Sequence, residues 1–553
     1  MPHRAAVAER LARLAPDQRA AATAPPGPVL CVAPAGSGKT TTLVARVAWL
    51  VDRGTDPRTI AAITFNKRAA EELGTRLAEA LQPLDVPADA VRVSTFHALG
   101  RAMLMDGGEP VEPLADRTAV LRSVVPGVDA ATRRRLDTAI SRLKLDLRAE
   151  PDVVARDPEA GPVARAYVAY EHALRDRGLL DFDDLVARAL GRLETDRDLL
   201  LRWRGRCAHL LVDESQDLDR SQLDLALLLA IPANQIFLVG DDDQSIYGWR
   251  LADVRRVLGL AEALPGLQRF DLQTNYRCPR TVVERAVRLV EGNCERFAKQ
   301  IVARPAADGQ LVLAPHGGEE TDKVRRLLLD WPDDGSTCAI LARTNRELLP
   351  AVAVAVELEH PFRAPGVPSL VESARIDQLL AAIQPDGPRA APLLVRVGRL
   401  RHQKEQGAAR DAPPDVMPDD DETLSQAALV AALLAWATGH RDLTSLVAAI
   451  DLTRGRLARL RRDDARLTLA TVHGTKGLEW DHVAVLGMET GRFPSRRAIE
   501  DSAEPERAIE EERRLAYVAW TRARRSLTLL YDPEAPSPFL LEAFDRTELG
   551  LPV

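Results

Sequence analysis

Two short segments of the chain carry residue types that bind and hydrolyse nucleoside triphosphates. Residues 33–40 read Ala-Pro-Ala-Gly-Ser-Gly-Lys-Thr, and residues 212–217 read Val-Asp-Glu-Ser-Gln-Asp. The first segment lies between an apolar run typical of a strand and a helical pattern, so its backbone N–H groups face phosphates. The second places two carboxylates at the end of another apolar run. Together they predict a phosphate-binding loop and a matching carboxylate strand.

The polar residues of these segments have distinct predicted roles. Lys39 supplies a mobile positive charge, and the Thr40 hydroxyl is a candidate magnesium ligand. Asp213 is predicted to hold magnesium, directly or through water, and Glu214 is the candidate base for the attacking water. The alternative is a pair of strand-end carboxylates that merely face solvent. The predicted nucleotide contacts of the loop are Ala33, Pro34, Ala35, Gly36, Ser37, Gly38, Lys39, Thr40 and Thr41.

A third segment places a phosphate-sensing residue type beside residues that can stack on nucleic-acid bases. Residues 240–250 read Gly-Asp-Asp-Asp-Gln-Ser-Ile-Tyr-Gly-Trp-Arg. Gln244 is the candidate sensor, and Tyr247 and Trp249 are the candidate stacking residues. Every base has a π-face, so stacking suits a protein that moves along a strand without reading its sequence. The alternative for Trp249 is a core tryptophan. The adjacency predicts a motor and not merely an ATPase.

Gln18 precedes the first predicted strand and could select the base of the nucleotide. A glutamine amide can pair bidentately with N6 and N7 of adenine, which would favour ATP over GTP. On its own, Gln18 would be an unremarkable surface residue. Its position before the loop favours the adenine interpretation.

The bulk composition limits the class of protein. A chain of 553 residues is too long for one core and implies two to four domains. Its net charge of -7 argues against coating nucleic acid by bulk positive charge, so binding must use local basic patches. Five scattered cysteines without paired spacing argue against a zinc or iron–sulfur site. No signal peptide or membrane-spanning run is apparent, and the expected location is the cytoplasm.

Short, nearly continuous apolar runs predict strands buried on both faces, as in parallel sheets of α/β proteins. We therefore expect two doubly wound domains, each interrupted by a mainly helical insertion. The predicted strands are Val29–Ala33, Ile60–Phe65, Val91–Phe96, Leu210–Asp213 and Ile236–Asp241 in one set, and Cys338–Ala342, Leu467–Val472, Val483–Met488 and Leu527–Tyr531 in the other. The predicted helices include Thr40–Val51, Ala130–Leu147 within the first insertion, and Glu510–Ala523.

The predicted domains follow from these runs. The first core domain comprises 1–98 and 186–275, interrupted by a helical insertion at 99–185. The second comprises 276–371 and 467–553, interrupted by a shortened helical insertion at 372–466. Within the second insertion, the acidic, proline-bearing segment Gln403–Glu422 is interpreted as a solvated loop.

Several further motifs occur in the order typical of one family, and the chain resembles the UvrD/Rep/PcrA-like superfamily I DNA helicases. These motifs are Thr64–Leu73, Ser94–His97, Leu180–Leu185, Gln273–Arg277, Thr471–Trp480 and Glu510–Ala523. The resemblance implies two RecA-like P-loop domains with ATP and Mg²⁺ between them and single-stranded DNA across their top. It also implies 3′-to-5′ movement in DNA repair or related DNA processing.

The resemblance assigns roles to further residues. Arg277 and Arg522 resemble the arginines that reach the γ-phosphate, where positive charge stabilises a loose phosphoryl transition state. Tyr276 resembles the residue that stacks on adenine, and Glu479 one that touches the ribose. Gln244 resembles the sensor between γ-phosphate and DNA. The DNA contacts implied by the resemblance are Phe65, Asn66, His97, Tyr247, Trp249, Arg250, His473 and Lys476. For the two histidines, a purely structural role is the alternative.

Three functional hypotheses remain open from the sequence. The first is an ATP-dependent helicase or translocase that binds single-stranded DNA and single/double-strand junctions, with repair or nuclease proteins as partners and no membrane. The second is a loading or remodelling subunit of a repair or phage-defence complex with little unwinding of its own. This second hypothesis is motivated by the predicted insertion at 372–466, which is short for the family and lacks the family's Gly-Ile-Gly-type turn. A binding module with an inactive ATPase is disfavoured, because the predicted catalytic residues are all present.

Overall fold

The computed structural model describes residues 2–157, 161–367, 369, 371–387, 390–408 and 426–551. The chain forms two units, which are treated separately. The first comprises Met1–Asp308 and Asp501–Thr521, and the second comprises Gly309–Glu500 and Arg522–Val553. The first unit thus extends beyond residue 275 and includes a segment from near the C-terminus. The core and insertion boundaries given above stay predictions.

Strands and helices alternate along most of the chain. The strands are β1 (Val29–Val32), β2 (Ile60–Thr64), β3 (Arg92–Thr95), β4 (His209–Val212), β5 (Ile236–Gly240), β6 (Gln268–Asp271), β7 (Thr274–Asn275), β8 (Val302–Ala303), β9 (Gln310–Pro315), β10 (Cys338–Ala342), β11 (Phe362–Arg363), β12 (Leu467–Thr471), β13 (Trp480–Val485) and β14 (Ala523–Tyr531). The α-helices before residue 300 are α1 (Pro2–Ala12), α2 (Pro16–Ala22), α3 (Lys39–Asp52), α4 (Lys67–Leu81), α5 (Phe96–Asp106), α6 (Arg117–Val124), α7 (Ala130–Ser141), α8 (Pro151–Val154), α9 (Pro162–Arg177), α10 (Asp184–Thr195), α11 (Arg197–Arg206), α12 (Arg220–Ala230), α13 (Val254–Leu258), α14 (Leu260–Ala263) and α15 (Arg280–Val290). The later helices are α16 (Glu320–Asp330), α17 (Leu349–Glu357), α18 (Ala374–Ala382), α19 (Leu393–Ala408), α20 (Gln426–Ala437), α21 (Leu443–Leu460), α22 (Arg496–Glu500), α23 (Pro505–Trp520) and α24 (Pro538–Ala543).

The first unit is built on a six-stranded sheet in the order β3-β2-β4-β5-β1-β6. All neighbouring strands are parallel. Alternate residues of β1 enter different cores: Leu30 and Val32 pack on one face, and Val29 and Cys31 pack on the other. A sheet that is buried on both faces explains the continuous apolar runs in the sequence.

The second unit contains another six-stranded parallel sheet, in the order β11-β12-β10-β13-β14-β9. The prediction of an α/β fold with two parallel-sheet domains of the RecA-like type is confirmed. Each of the nine predicted strands appears, with ends that differ by at most four residues. Five strands were not predicted. Strands β6, β9 and β11 lie at the edges of the two six-stranded sheets, and β7 and β8 form a separate two-stranded sheet.

Both predicted insertions are helical in the described residues. Helices α5–α11 separate β3 from β4, and α6, α7 and α9 share a small core that includes Val120, Ile140 and Tyr170. Beside this core, the buried Lys144 ammonium makes ion pairs with Glu171, Asp181 and Asp184. Helices α18–α21 separate β11 from β12. The predicted loop Gln403–Glu422 is wrong at its start, because residues 403–408 belong to α19, and its residues 409–422 lie outside the described residues.

The predicted helix Glu510–Ala523 is wrong at its C-terminal end. Helix α23 runs from Pro505 to Trp520, and Ala523 already begins strand β14. Ala523 pairs with Trp480 of β13, so sheet pairing overrides the helical pattern there. No helix among the described residues is long and apolar enough to span a bilayer.

Candidate nucleotide and nucleic-acid site

The predicted phosphate loop connects β1 to α3 in the first unit. The Ala33 amide donates to the Gly240 carbonyl at 2.7 Å, which places the loop beside the end of β5. Gly36 and Gly38 have φ angles of +68° and +86°, in the left-handed region that favours glycine. Helix α3 begins at Lys39, so the first N–H groups of the helix lie at the end of the loop.

Gln18 lies against this loop and supports it. Its Nε2 donates to the Ser37 carbonyl at 2.8 Å, and its Oε1 accepts from the Ala15 amide at 3.1 Å. A Cβ atom at Gly38 would lie only 2.6 Å from Gln18 Nε2. Gln18 is therefore buried against the loop and is not an unremarkable surface residue. Its contact with adenine stays a prediction.

The predicted catalytic side chains of the loop and of β4 lie in the first unit. Lys39 Nζ donates to the Ala33 carbonyl at 3.0 Å. The Asp213 amide donates to the Ile63 carbonyl at 2.8 Å, which extends the pairing of β4 with β2. Glu214 has a φ angle of +53°, a strained conformation that costs about 1–3 kcal/mol in a residue with a side chain. Its Oε2 accepts from Gln216 Nε2 at 2.6 Å.

The loop residues fit a magnesium-bound triphosphate. Ser37 Oγ is buried and has no hydrogen-bond partner among the residues that the structure describes. A Cβ atom at Gly36 would lie 2.8 Å from both Arg277 Cβ and Asn275 Oδ1, so the loop accepts only glycine there without displacing its neighbours. The carboxylate of Asp213 and the hydroxyl of Thr40 are oxygen ligands of the kind that Mg²⁺ prefers.

Arg277 and Tyr276 follow the short strand β7 and also lie beside the loop. The Tyr276 amide donates to the Gly36 carbonyl at 2.9 Å. Asn275 Oδ1 accepts from the amides of Arg277 and Cys278, each at 2.8 Å, and so shapes this turn. Tyr276 is 40% exposed, so it is not a core tyrosine.

Gln244 is held in a buried network of charges at the end of β5. Its Nε2 donates to Asp241 Oδ2 at 2.5 Å. Asp241 is also paired with the fully buried Lys299, whose ammonium contacts Asp242 and Asp243 as well. Burial disfavours the Asp241 carboxylate, but the charges of Lys299 and then Lys39 bring its pKa below the usual value. The orientation of Gln244 therefore depends on a paired, ionised aspartate.

Four predicted site residues belong to the second unit. Arg522 is buried, and its Nη1 donates to the Leu478 carbonyl at 3.2 Å. Glu479 makes an ion pair with Arg524. Burial and then the charge of Arg343 lower the pKa of His473 to about 3, so this imidazole is neutral at pH 7. His473 lies in the short helical turn Val472–Thr475, and Lys476 directly follows this turn.

A cavity of about 1900 Å³ in the first unit brings together most of its predicted DNA contacts. Phe65 stacks on Tyr247 with ring centroids 4.9 Å apart, and the Arg250 guanidinium lies 4.7 Å from the Trp249 ring centre. Trp249 is 55% exposed and is therefore not a core tryptophan. The predicted contacts that line the cavity are Phe65, Asn66, His97, Trp249 and Arg250.

Comparison with known proteins identifies the family. Residues 14–265 match the profile of the UvrD/REP helicase N-terminal domain, and residues 420–534 match that of the UvrD-like helicase C-terminal domain. The chain belongs to the UvrD/Rep helicase family.

Relatives of known name align along most of the chain. The Rep helicase of Salmonella typhimurium, named an ATP-dependent DNA helicase, is 28% identical over 96% of this chain and 94% of its own length. DNA helicase II of the same organism is 28% identical over 93% of this chain and 84% of its own length. PcrA of Staphylococcus epidermidis, also named an ATP-dependent DNA helicase, is 27% identical over 97% of this chain and 85% of its own length.

The structure of this UvrD/Rep family member adds residues that sequence reasoning missed. Phe182 also lines the cavity, and its ring stacks on His97 with centroids 3.9 Å apart. It lies in the motif Leu180–Leu185, where an apolar ring between aspartates was a signal of exposure. Asn275 lies in the motif Gln273–Arg277, but its contact with the loop is visible only in the fold.

His97 is expected to make stability depend on pH. Burial and then the Arg250 charge lower its pKa to about 4 in the folded protein, against about 6.5 when unfolded. Between these values the unfolded chain binds a proton that the folded one does not, so stability is lost as pH falls from 6.5 to 4. Melting temperatures measured across this range should change less steeply in His97→Gln. Retention of the full slope in that variant would contradict the prediction, and His172→Gln, at an exposed histidine of α9, should retain it.

Proposed function

We propose that this protein is an ATP-driven motor that moves 3′-to-5′ along single-stranded DNA and separates strands in DNA repair or related DNA processing. Its family membership makes the chain an ATP-dependent DNA helicase of the UvrD, Rep and PcrA type. The direction, the pathway and the residue roles are the finer part of the proposal.

One observation carries the proposal. The short segment from Asp241 to Arg250 contributes both to the phosphate-loop region and to the cavity. At one end, Gln244 is buried and is held by Asp241, whose carboxylate is affected by the charge of Lys39. At the other end, Trp249 is exposed in the cavity with a flanking guanidinium. A nucleotide-dependent movement of this segment would therefore reach the stacking residues directly.

The proposed nucleotide roles are supported by the loop geometry for residues of the first unit and by family membership for Glu479 and Arg522. Lys39 neutralises the terminal phosphates, and the loop amides from Ala33 to Thr41 cradle them. Thr40 and Asp213 would hold Mg²⁺, which neutralises phosphate charge when bound. Glu214 takes the proton of the attacking water. Tyr276 and Gln18 hold the adenine, Glu479 meets the ribose, and the two arginines at 277 and 522 stabilise charge on the γ-phosphate.

The proposed DNA roles are supported by the aromatic residues that line the cavity and by Tyr247, which stacks on one of them. Phe65, Tyr247 and Trp249 stack on bases, while Asn66, His97 and Arg250 contact the same strand. Since the His97 and His473 side chains are neutral at pH 7, they contact DNA by stacking or hydrogen bonding and not by charge. His473 and Lys476 extend the contacts in the second unit. Junctions of single and double strands, together with repair or nuclease proteins, are the proposed partners, and a cytoplasmic location stays a prediction.

The decisive test compares ATP turnover and strand displacement on defined substrates. ATP turnover is measured alone and with single-stranded DNA, RNA and duplex DNA, and displacement is measured on duplexes with 3′ or 5′ tails. We expect stimulation by single-stranded DNA and displacement only from the 3′ tail. Stimulation without displacement by the protein alone would support the loading-subunit alternative, and absence of stimulation would overturn the proposal.

Trp249→Ala is expected to weaken single-stranded DNA binding by about 1–3 kcal/mol, the cost of one lost base stack. This corresponds to a rise in Kd of roughly 5- to 150-fold. It should also uncouple hydrolysis from movement, so that more ATP molecules are hydrolysed for each nucleotide travelled. Fluorescence anisotropy and translocation assays measure both effects. Leu201→Ala removes a similarly exposed apolar side chain outside the cavity and is the control. Unchanged affinity and translocation speed in Trp249→Ala would refute the stacking role.

A further inference from the structure

Helix α23 contacts the aromatic turn Tyr247–Arg250 and also Asp253, three residues after the turn. Glu511 Oε1 accepts from the Gly248 amide at 3.0 Å, just before the tryptophan. Arg507 Nη2 donates to Asp253 Oδ1 at 3.0 Å, just after the turn. Residues four apart on a helix lie on the same face, so one face of α23 makes both contacts.

The contact at Gly248 depends on the absence of a side chain. A Cβ atom at that position would lie 2.5 Å from Glu511 Oε2 and 2.9 Å from Oε1. The Glu511 carboxylate therefore occupies the space that any other residue at 248 would need. Gly248 joins the stacked Tyr247 to the exposed Trp249, so the carboxylate holds the backbone between the two proposed stacking residues.

The other end of the same helix contacts the nucleotide side of the first unit. The carbonyl of Thr521, the residue that caps α23, accepts from Arg277 Nη1 at 3.1 Å and from Cys278 Sγ at 3.4 Å. Residues 507 and 521 are separated by 14 steps, or about 20 Å along an α-helix. A single helix thus joins an arginine assigned to the γ-phosphate with the turn assigned to bases.

We propose that Arg507 and Glu511 are positioning residues that hold the aromatic turn, so that α23 couples occupancy of the nucleotide site to the grip on single-stranded DNA. This inference rests on the proposed function. In this proposal neither residue touches nucleotide or DNA. Glu511 acts through the Gly248 backbone, and Arg507 acts through Asp253.

Glu511 can be tested without removing much of the fold. It is only partly buried, and the turn retains the stack of Phe65 on Tyr247 and the internal hydrogen bond from the Arg250 amide to the Tyr247 carbonyl. The variants are Glu511→Ala, which removes the acceptor, and Glu511→Gln, which retains an acceptor oxygen. Glu506→Ala removes an exposed carboxylate from the first turn of the same helix and is the matched control.

The readout is the ratio of single-stranded DNA affinities with and without a non-hydrolysable ATP analogue. Coupling between two sites changes affinity by roughly 5- to 150-fold in typical cases. We expect Glu511→Ala to bring this ratio towards one, Glu511→Gln to retain most of it and Glu506→Ala to retain all of it. A merely structural contact would lower the melting temperature and leave the ratio unchanged.

Gly248→Ala provides a second route to the same result. Its Cβ atom would displace the Glu511 carboxylate without changing any charge, so the ratio should fall as in Glu511→Ala. The inference is overturned if both variants retain the wild-type ratio, or if the wild-type protein binds single-stranded DNA with no dependence on nucleotide. A wild-type protein that does not bind single-stranded DNA overturns the proposed function, and the positioning role with it.

Discussion

Lys39→Ala is expected to lower ATP turnover by at least about a hundredfold, the loss typical when a donor to developing charge is removed. In the structure the Lys39 ammonium lies at the start of α3 and donates to the Ala33 carbonyl within the loop. It is therefore poised to exchange that carbonyl for phosphate oxygens. Phosphate release assays at saturating ATP and single-stranded DNA measure the effect.

DNA binding without nucleotide should be largely spared in this variant, because Lys39 does not line the cavity. Arg53→Ala is a suitable control, since it removes a cation at the opposite end of the same helix. Turnover in Lys39→Ala above a tenth of the wild-type rate would refute the assignment of the loop.

Arg277→Ala is expected to reduce kcat for ATP by roughly 10³- to 10⁵-fold, the contribution of arginines that meet the γ-phosphate in related enzymes. Its Cβ atom lies beside Gly36 of the loop, and its guanidinium donates to the Thr521 carbonyl. The loss should appear mainly in kcat, because the charge is needed most in the transition state. Steady-state kinetics with single-stranded DNA in excess measure it.

Arg280→Ala is the matched control for this prediction. Arg280 begins α15 three residues later and is exposed, so its loss removes the same charge from the same region. We expect its kcat to stay within about twofold of the wild type, as is usual for surface substitutions. A kcat for Arg277→Ala within tenfold of the wild type would mean that this arginine does not meet the transition state.

The strands that sequence analysis found and missed differ in how they are buried. Strands β1, β5 and β10 are buried along their whole length, so their sequences are continuous apolar runs. Strand β9 lies at an edge and alternates between exposed and partly buried residues, while β6 carries Arg269 and Asp271, which pair with each other. An edge strand has a neighbour on only one side, so the apolar signal is lost in β6 and β9, although β3, at the other edge of the first sheet, was predicted.

In the site, residues that are close together in the sequence were predictable, and contacts between residues far apart in the sequence were not. The glycines of the phosphate loop and the carboxylates of β4 were predictable, because their spacing along the chain reflects one local geometry. The burial of Lys299 among three aspartates was not predictable, since the lysine is more than fifty residues from its partners. The same holds for Glu511 and Gly248, which only the fold brings together.

The first unit includes Asp501–Thr521, and this has a consequence for biosynthesis. A ribosome adds about 5–20 residues per second, so roughly 10–40 seconds pass between emergence of residue 308 and of the segment that carries α23. During that interval the nascent first unit lacks the Thr521 carbonyl and Glu511. The newborn chain therefore completes its N-terminal half only after most of its C-terminal half has been made.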